Sequence, residues 1–236
     1  FRVSDVRRTL KHLAPNAGME AAIYSGLDRL VNAKCGRDYM RDDGSPMRVS
    51  RCLIEANWGD STDVVYQFCR QSAHTGIVSP SHGKGIGASS QPIGEWARKP
   101  GDKSGSNWIM PTLDRSKRQV RHVLYDTNFW KSFLQERLIT PMGDAGCLSL
   151  YGDDAQQHRM FADHLTAEYR VQTTGRGRTV SEWRKRGSQE NHWLDCAVGC
   201  CVCGSMRGLT LPGIKQMVKR AKVSYAERYG KWRQQR

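Results

Sequence analysis

The stretch "RCLIEANWGDSTDVVYQFCRQS" (51–72) constrains the fold more than any other part of the chain. It opens on a short apolar run that ends in a carboxylate, Glu55, with polar residues beyond it. That is the pattern of a buried strand whose carboxyl end faces a site. Hydroxyls at Ser61 and Thr62 then stand at a helix start, and Val64, Val65, Phe68 and Cys69 recur at helical spacing. A helix of about three turns follows, with those four facing inward. "TGIVSP" (75–80) is the next strand.

The alternation continues along the chain. Strand-like "NWIMPTL" (107–113) and "RQVRHVLYD" (118–126) precede a helix in "TNFWKSFLQERL" (127–138). A strand in "GCLSLYG" (146–152), a helix in "DAQQHRMFADHL" (154–165), strand-like "EYRVQTT" (168–174), a basic hairpin and a helix at 191–207 complete the order. Upstream, "SDVRRTLKHL" (4–13) reads as a helix capped by Ser4, and "MEAAIYSGLDRLVNAKCG" (19–36) as a second one ended by Gly36. "RDDGSP" (41–46) is a turn, and the Gly-, Ser- and Pro-rich 80–106 is a long functional loop. Strands alternating with helices make an α/β fold with a mixed central sheet flanked by helices. No internal repeat is present. The expected division is one domain over 1–207 and a basic C-terminal extension, tail or helix, over 208–236.

Charge narrows the partner. The net charge is +14 and the pI about 9.7. It concentrates in "RGRTVSEWRKR" (176–186) and in "KQMVKRAKVSYAERYGKWRQQR" (215–236). A polyanion, nucleic acid first, is the natural partner; general solubility charge is the alternative. No stretch reaches the roughly 18 apolar residues of a membrane span. The chain opens on Phe1 with no leader pattern, which reads as a piece of something longer.

Two carboxylates stand out by position. Glu55 ends a strand where α/β sheets present ligands. Asp195 lies about one turn into the helix "NHWLDCAVGCCVCG" (191–204), whose neighbours are apolar nearly all round, so it reads as a buried aspartate. Such a group needs a partner or a metal. Carboxylates meeting at a sheet edge in a basic protein point to a hard cation and phosphodiester cleavage, with Mg2+ or Mn2+ as a pair of ions. A helix-start carboxylate paired with a neighbouring Arg is the competing reading of Asp195. Asp60, Asp63 and Asp126 are accessory ligand candidates.

The eight cysteines form no disulfide framework and no CxxC knuckle, so they read as reduced, small apolar filler rather than zinc ligands. The seven histidines never pair at metal-ligand spacing and read as surface or cap residues. "SHGKGIGASS" (81–90) lacks the GxxxxGK[ST] phosphate-loop spacing. Lys84 within it either touches a DNA phosphate or faces solvent. Arg176, Arg178, Arg184, Lys185 and Arg186, interrupted by Trp183, fit contact with the DNA backbone, against the alternative of a solvated hairpin.

Taken with "DTNFWKSFLQERL" (126–138), "HLTAEYRV" (164–171) and "NHWLDCAVGC" (191–200), the 51–72 stretch resembles the large terminase subunit of tailed bacteriophages, GpA-like branch, C-terminal nuclease domain. The similarity runs from about residue 5 to residue 207. It implies a ribonuclease H-like fold and metal-dependent cleavage of concatemeric double-stranded viral DNA. It also implies the small terminase subunit and the portal protein as partners, and the host cytoplasm as the setting. Glu55 falls where the family's second acidic residue, usually Asp, ends a central strand; Asp195 falls on the acid of the "N-x-x-L-D-C" helix start. Lys84 lies near a frequent Lys-Gly position. The family's first catalytic aspartate sits on an opening strand that the sequence before "SDVRRTL" does not contain, and Asp5 is a poor substitute.

The leading expectation is a terminase nuclease domain with Glu55 and Asp195 as catalytic metal ligands. The alternative is a catalytically impaired DNA-binding and assembly module of the packaging machinery. A recombination nuclease or resolvase of the same fold class would share the chemistry but not the motifs.

Overall fold

The computed structural model describes residues 10, 14–57, 59–113 and 120–209, and for Asp60 the backbone alone. The helix expected at 4–13 with its Ser4 cap, and the basic extension from 210 onward, lie outside the described residues. The elements are α1 (Met19–Cys35), a small hairpin of β1 (Tyr39–Met40) and β2 (Pro46–Met47), β3 (Cys52–Glu55) and α2 (Thr62–Gln71). Then come β4 (Val78–Lys84), β5 (Lys103–Gly105), β6 (Trp108–Met110), β7 (Val123–Asp126) and α3 (Thr127–Ile139). The chain continues through α4 (Arg159–Leu165), β8 (Glu168–Gly175), β9 (Arg178–Lys185) and α5 (His192–Met206).

The centre is a five-stranded mixed sheet in the order β3-β4-β7-β6-β5. β3, β4 and β7 run parallel, while β6 and β5 run antiparallel to their neighbours. Side chains alternate between the two faces of a strand. On one face Ile54 and Val78 meet Val64, Val65 and Phe68 of α2, with Ile23 and Val31 of α1 behind them. On the other, Leu53, Val123 and Tyr125 meet Trp130 and Leu134 of α3 and Leu194, Val198 and Val202 of α5.

β4 is longer and later than the "TGIVSP" run predicts. Ile77 N–H and Val78 N–H both bond back to the His74 carbonyl, so the strand starts only at Val78. It extends to Lys84 because residues 81–84 gain β7 as a neighbour. Pro80 sits in the half of β4 that pairs with β3 alone, where a residue lacking an N–H is tolerated.

Two other expectations are corrected. "GCLSLYG" forms no strand: Gly146 (φ 88°) and Gly152 (φ 81°) turn the chain at both ends, and Leu148 bonds back to the Arg137 carbonyl. The helix expected over 154–165 is instead a 3-10 turn, Ala155–His158, capped by Asp154, followed by the short α4. The hairpin, by contrast, is as tight as its sequence implies. Arg176 (φ 49°) and Gly177 (φ 70°) make a two-residue turn with both φ positive, which matches the twist of paired strands.

Trp130 is fully buried among α3, α5 and the sheet, and its indole N–H has no hydrogen-bond partner among the described residues. Trp130→Ala should therefore cost about 3–5 kcal/mol in urea unfolding, through transfer and cavity effects. Trp130→Phe should cost far less, because no hydrogen bond is lost.

Candidate active site

The parallel strands β3, β4 and β7 deliver their carboxyl ends to one edge of the sheet. Glu55 is the last residue of β3, Lys84 of β4 and Asp126 of β7. The register pairs Glu55 with Ser81, Gly83 with Tyr125, and Lys84 with Asp126. Glu55 and Tyr125 thus share the face covered by α3 and α5.

Glu55 accepts from the Asn57 backbone N–H at 3.3 Å and lies 3.5 Å from the Tyr125 hydroxyl. Burial of its carboxyl raises its pKa; the Asn57 hydrogen bond opposes this, and the charge of Asp195 adds to the rise. Tyr125 is raised as well, first by burial and then by the charges of Glu55 and Asp195. Its phenol is a neutral donor under the influence of both acids. The structure therefore brings Glu55 and Asp195 into one electrostatic neighbourhood, with Tyr125 part of it.

Asp195 is not the buried aspartate its neighbours implied. Only Leu194, Val198 and Val202 of α5 are buried, and the Asp195 side chain is 44% exposed. Its partner is a lysine rather than an arginine. Lys131 Nζ lies 3.1 Å from Asp195 Oδ1 and 2.6 Å from Glu168 Oε1. Asn191 Nδ2 bridges the same two acids, at 2.6 Å from Glu168 Oε1 and 3.2 Å from Asp195 Oδ2. Lys131 and Glu168 are both buried.

Sequence reasoning missed Lys131, Glu168 and Tyr125. Lys131 reads as a solvated helix lysine within "TNFWKSFLQERL", and Glu168 as a strand residue. The one available signal is that both lie in the stretches that carry the terminase resemblance.

Asp126 does other work. It caps α3, its Oδ1 accepting from Asn128 N–H at 3.0 Å and Phe129 N–H at 3.4 Å, and it also accepts from Ile86 N–H at 3.3 Å. Burial pushes its pKa up to about 6 despite those hydrogen bonds. The side chain of Asp60 lies outside the described residues, and Asp63 is exposed in the first turn of α2. Among the described residues no group of three or more His, Cys, Asp or Glu side chains is arranged to hold a metal ion.

The basic candidates divide. Lys84 is exposed, its ammonium 5.5 Å from the Trp96 ring centre. Arg176 is exposed at the hairpin tip, and Arg184, Lys185 and Arg186 are exposed at the far end of β9, Arg186 resting 5.2 Å over Tyr169. Arg178 is occupied: its guanidinium donates to the carbonyls of Gly87 (3.2 Å), Ala88 (3.0 Å) and Ser90, fastening the hairpin to the loop after β4.

Two readings of residue type need correction. Cys196 and Cys200 are exposed rather than core filler, although burial raises the pKa of both thiols, as it pushes that of Cys201 to about 11 and that of Cys203 to about 12. His82 is no ordinary surface histidine. Its Nδ1 lies 2.6 Å from Asn57 Oδ1 and its Nε2 2.8 Å from the Tyr66 hydroxyl, with the His122 ring edge-on at 5.3 Å. His164 does cap: its Nδ1 accepts from the Trp193 N–H in the first turn of α5.

The family described as "Terminase large subunit gpA, endonuclease domain" matches residues 19–216. The chain belongs to that family. No curated protein and no solved structure matches it. Membership in a terminase endonuclease family implies a DNA endonuclease, a hydrolase that works in genome packaging. No helix among the described residues is long and apolar enough to cross a membrane.

Two outcomes follow for this terminase domain. Lys131→Met strands two carboxylates, one of them buried, and should destabilise the fold by about 3–5 kcal/mol in denaturant titration, whereas Lys131→Met with Glu168→Leu should recover much of the loss. Asp126 binds its proton more tightly in the folded state, its pKa raised from 3.8 to about 6. Its contribution to stability is full below 3.8 and is lost as pH rises through about 6. Asp126→Asn, which keeps a capping acceptor, should flatten that part of the Tm-versus-pH profile.

Proposed function

We propose that the domain cuts concatemeric double-stranded viral DNA with the help of Mg2+ or Mn2+, and that Glu55 and Asp195 are its catalytic carboxylates. The observation that carries this reading is the packing of α5, which bears Asp195, against β3, which ends in Glu55 beside the Tyr125 hydroxyl. The donor set is carboxylate oxygen, which suits a hard cation. A bound divalent cation supplies charge neutralisation and activation of the attacking water.

The chain's own residues do the rest. Lys131 and Asn191 hold the Asp195 carboxylate in one orientation, with Glu168 as counter-charge. Tyr125 offers a neutral hydroxyl donor beside Glu55. Arg176, Arg184, Lys185 and Arg186 present exposed charge to the phosphate backbone, which fixes position without reading sequence. The parallel core strands are consistent with a ribonuclease H-like fold, which remains part of the proposal. So do the small terminase subunit and portal as partners, and the host cytoplasm as the setting.

A second reading, an impaired DNA-binding and assembly module, draws on one observation. Among the described residues the acid pair has no third carboxylate arranged with it for a metal.

Incubating the chain with supercoiled plasmid and Mn2+ separates the two. Nicking that falls at least about a hundredfold in Asp195→Ala and in Glu55→Gln, with DNA affinity kept, supports the nuclease. Band shifts without cleavage in any divalent cation support the module. In either case affinity should fall steeply with salt, and the slope should shrink by about one per charge removed from Arg184 or Lys185.

A further inference from the structure

The two acids are held differently. Asp195 is gripped through its side chain by Lys131 and Asn191. Glu55 relies on the Tyr125 hydroxyl, at 3.5 Å, and on the Asn57 backbone N–H, at 3.3 Å. A glutamate carboxylate swings on several side-chain torsions, so its orientation must come from its surroundings. Whatever fixes Asn57 therefore bears on Glu55.

At the end of β3 a side chain takes the place of a backbone rung. Cys52 N–H bonds to the Ile77 carbonyl and Ala56 N–H to that of Ser81, both at 2.9 Å. Continuing that register makes the Gly83 carbonyl the next acceptor. Asn57 Nδ2 takes it, at 3.0 Å. The backbone at Gly83 is packed closely, since a Cβ there would meet Thr127 Cγ2 at 2.6 Å.

That bond also assigns the proton on His82. A carbonyl only accepts, so the nitrogen of the Asn57 amide faces Gly83 and its Oδ1 faces His82 Nδ1, at 2.6 Å. An amide oxygen only accepts as well, so Nδ1 carries a proton and donates it. On the other side of the ring, Nε2 lies 2.8 Å from the hydroxyl of Tyr66, a buried residue of α2. The His122 ring packs edge-on, with centroids 5.3 Å apart. Helix α2 thus steadies the His82 ring, the ring holds the Asn57 side chain, and Asn57 reaches Glu55 through its own N–H.

We propose that His82 is a positioning residue for Glu55: by donating from Nδ1 to Asn57 it locks the turn after β3 and keeps the Glu55 carboxylate in one orientation. The proposal rests on Glu55 being a catalytic carboxylate of the nuclease. His82 acts at one remove. Its register neighbours Ser81 and Gly83 lie on the Glu55 and Tyr125 face of the sheet, whereas its own ring lies on the α2 face. Removing a group that orients a cation-binding carboxylate commonly costs about 10- to 100-fold in metal affinity.

Two substitutions separate positioning from packing. The side-chain nitrogen of Asn takes the place of histidine Nδ1, and that of Gln the place of Nε2. His82→Asn therefore keeps the donor to Asn57 and drops the contact with Tyr66, and His82→Gln does the reverse. The full chain is followed by NMR exchange of the Asn57 amide proton, by paramagnetic resonance of Mn2+ binding without DNA, and by Tm. In His82→Gln the amide should exchange about tenfold faster and Mn2+ should bind about tenfold more weakly. His82→Asn should restore most of both, although each variant loses the ring and one hydrogen bond and the two should melt alike. Asn57 is exposed, so Asn57→Ala keeps the fold if the His82 variants do not. It should reproduce the Mn2+ defect, and adding His82→Gln to it should cost nothing further.

Asn and Gln variants that behave alike in exchange and Mn2+ binding overturn the proposal, as does an Asn57→Ala protein that binds Mn2+ like wild type. So does faster exchange in His82→Gln with Mn2+ binding intact, where Glu55→Gln weakens Mn2+. If Glu55→Gln binds Mn2+ as wild type does, or wild type cuts no DNA in any divalent cation, the reading of Glu55 fails by itself. Exchange of the amide at 57 then decides alone whether His82 sets the turn.

Discussion

The contact of Lys131 with Glu168 and Asp195 ties together three parts of the chain that are distant in sequence. Lys131 stands in α3, Glu168 opens β8, and Asp195 lies in the first turn of α5. An ammonium this well buried is tolerable only with partners in good geometry. It has two carboxylates, and Asn191 bridges both. The network fixes how α5 and the hairpin sit against α3, and so sets the aim of Asp195. Removing the lysine would strand both acids, Glu168 where water is scarce, so architecture and chemistry are constrained by the same side chains.

The central sheet sets the other half of the site. Because β3, β4 and β7 run parallel and end together, three polar side chains reach one edge without any special loop. What happens to each depends on its surroundings. Glu55 is left with a phenol and a backbone amide. Asp126 becomes a helix cap and drops out of the acid pair. Lys84 remains outside, near Trp96. The strand termini supply candidates, and helix capping selects among them.

Much of the fold was legible because apolar periodicity reports burial directly. The strand–helix pattern of 51–72, helix α3 and the basic hairpin all appear where their spacing places them. The errors share a cause. "GCLSLYG" alternates like a strand, but pairing depends on a free neighbour, which no local pattern encodes, and glycines turn it away. Helix α5 looks apolar all round because Cys counts as apolar, yet Cys196 and Cys200 are exposed. Glu55 and Asp195 could be named from position, whereas Lys131 could not. A lysine in an amphipathic helix reads as solvated until tertiary structure places two carboxylates against it. The occupation of Arg178 was hidden for the same reason, since its acceptors are backbone carbonyls about 90 residues away.

That fastening divides the arginines and lysines of the hairpin into two kinds. Those counted only by charge can exchange identity over generations while the electrostatic field hardly changes. The one gripping the loop is bound by position, since its Nη2 sits among three loop carbonyls that any replacement would have to reach at the same point. Sequence drift among relatives should therefore pass freely along the outer rim of β9 and stop at its first residue.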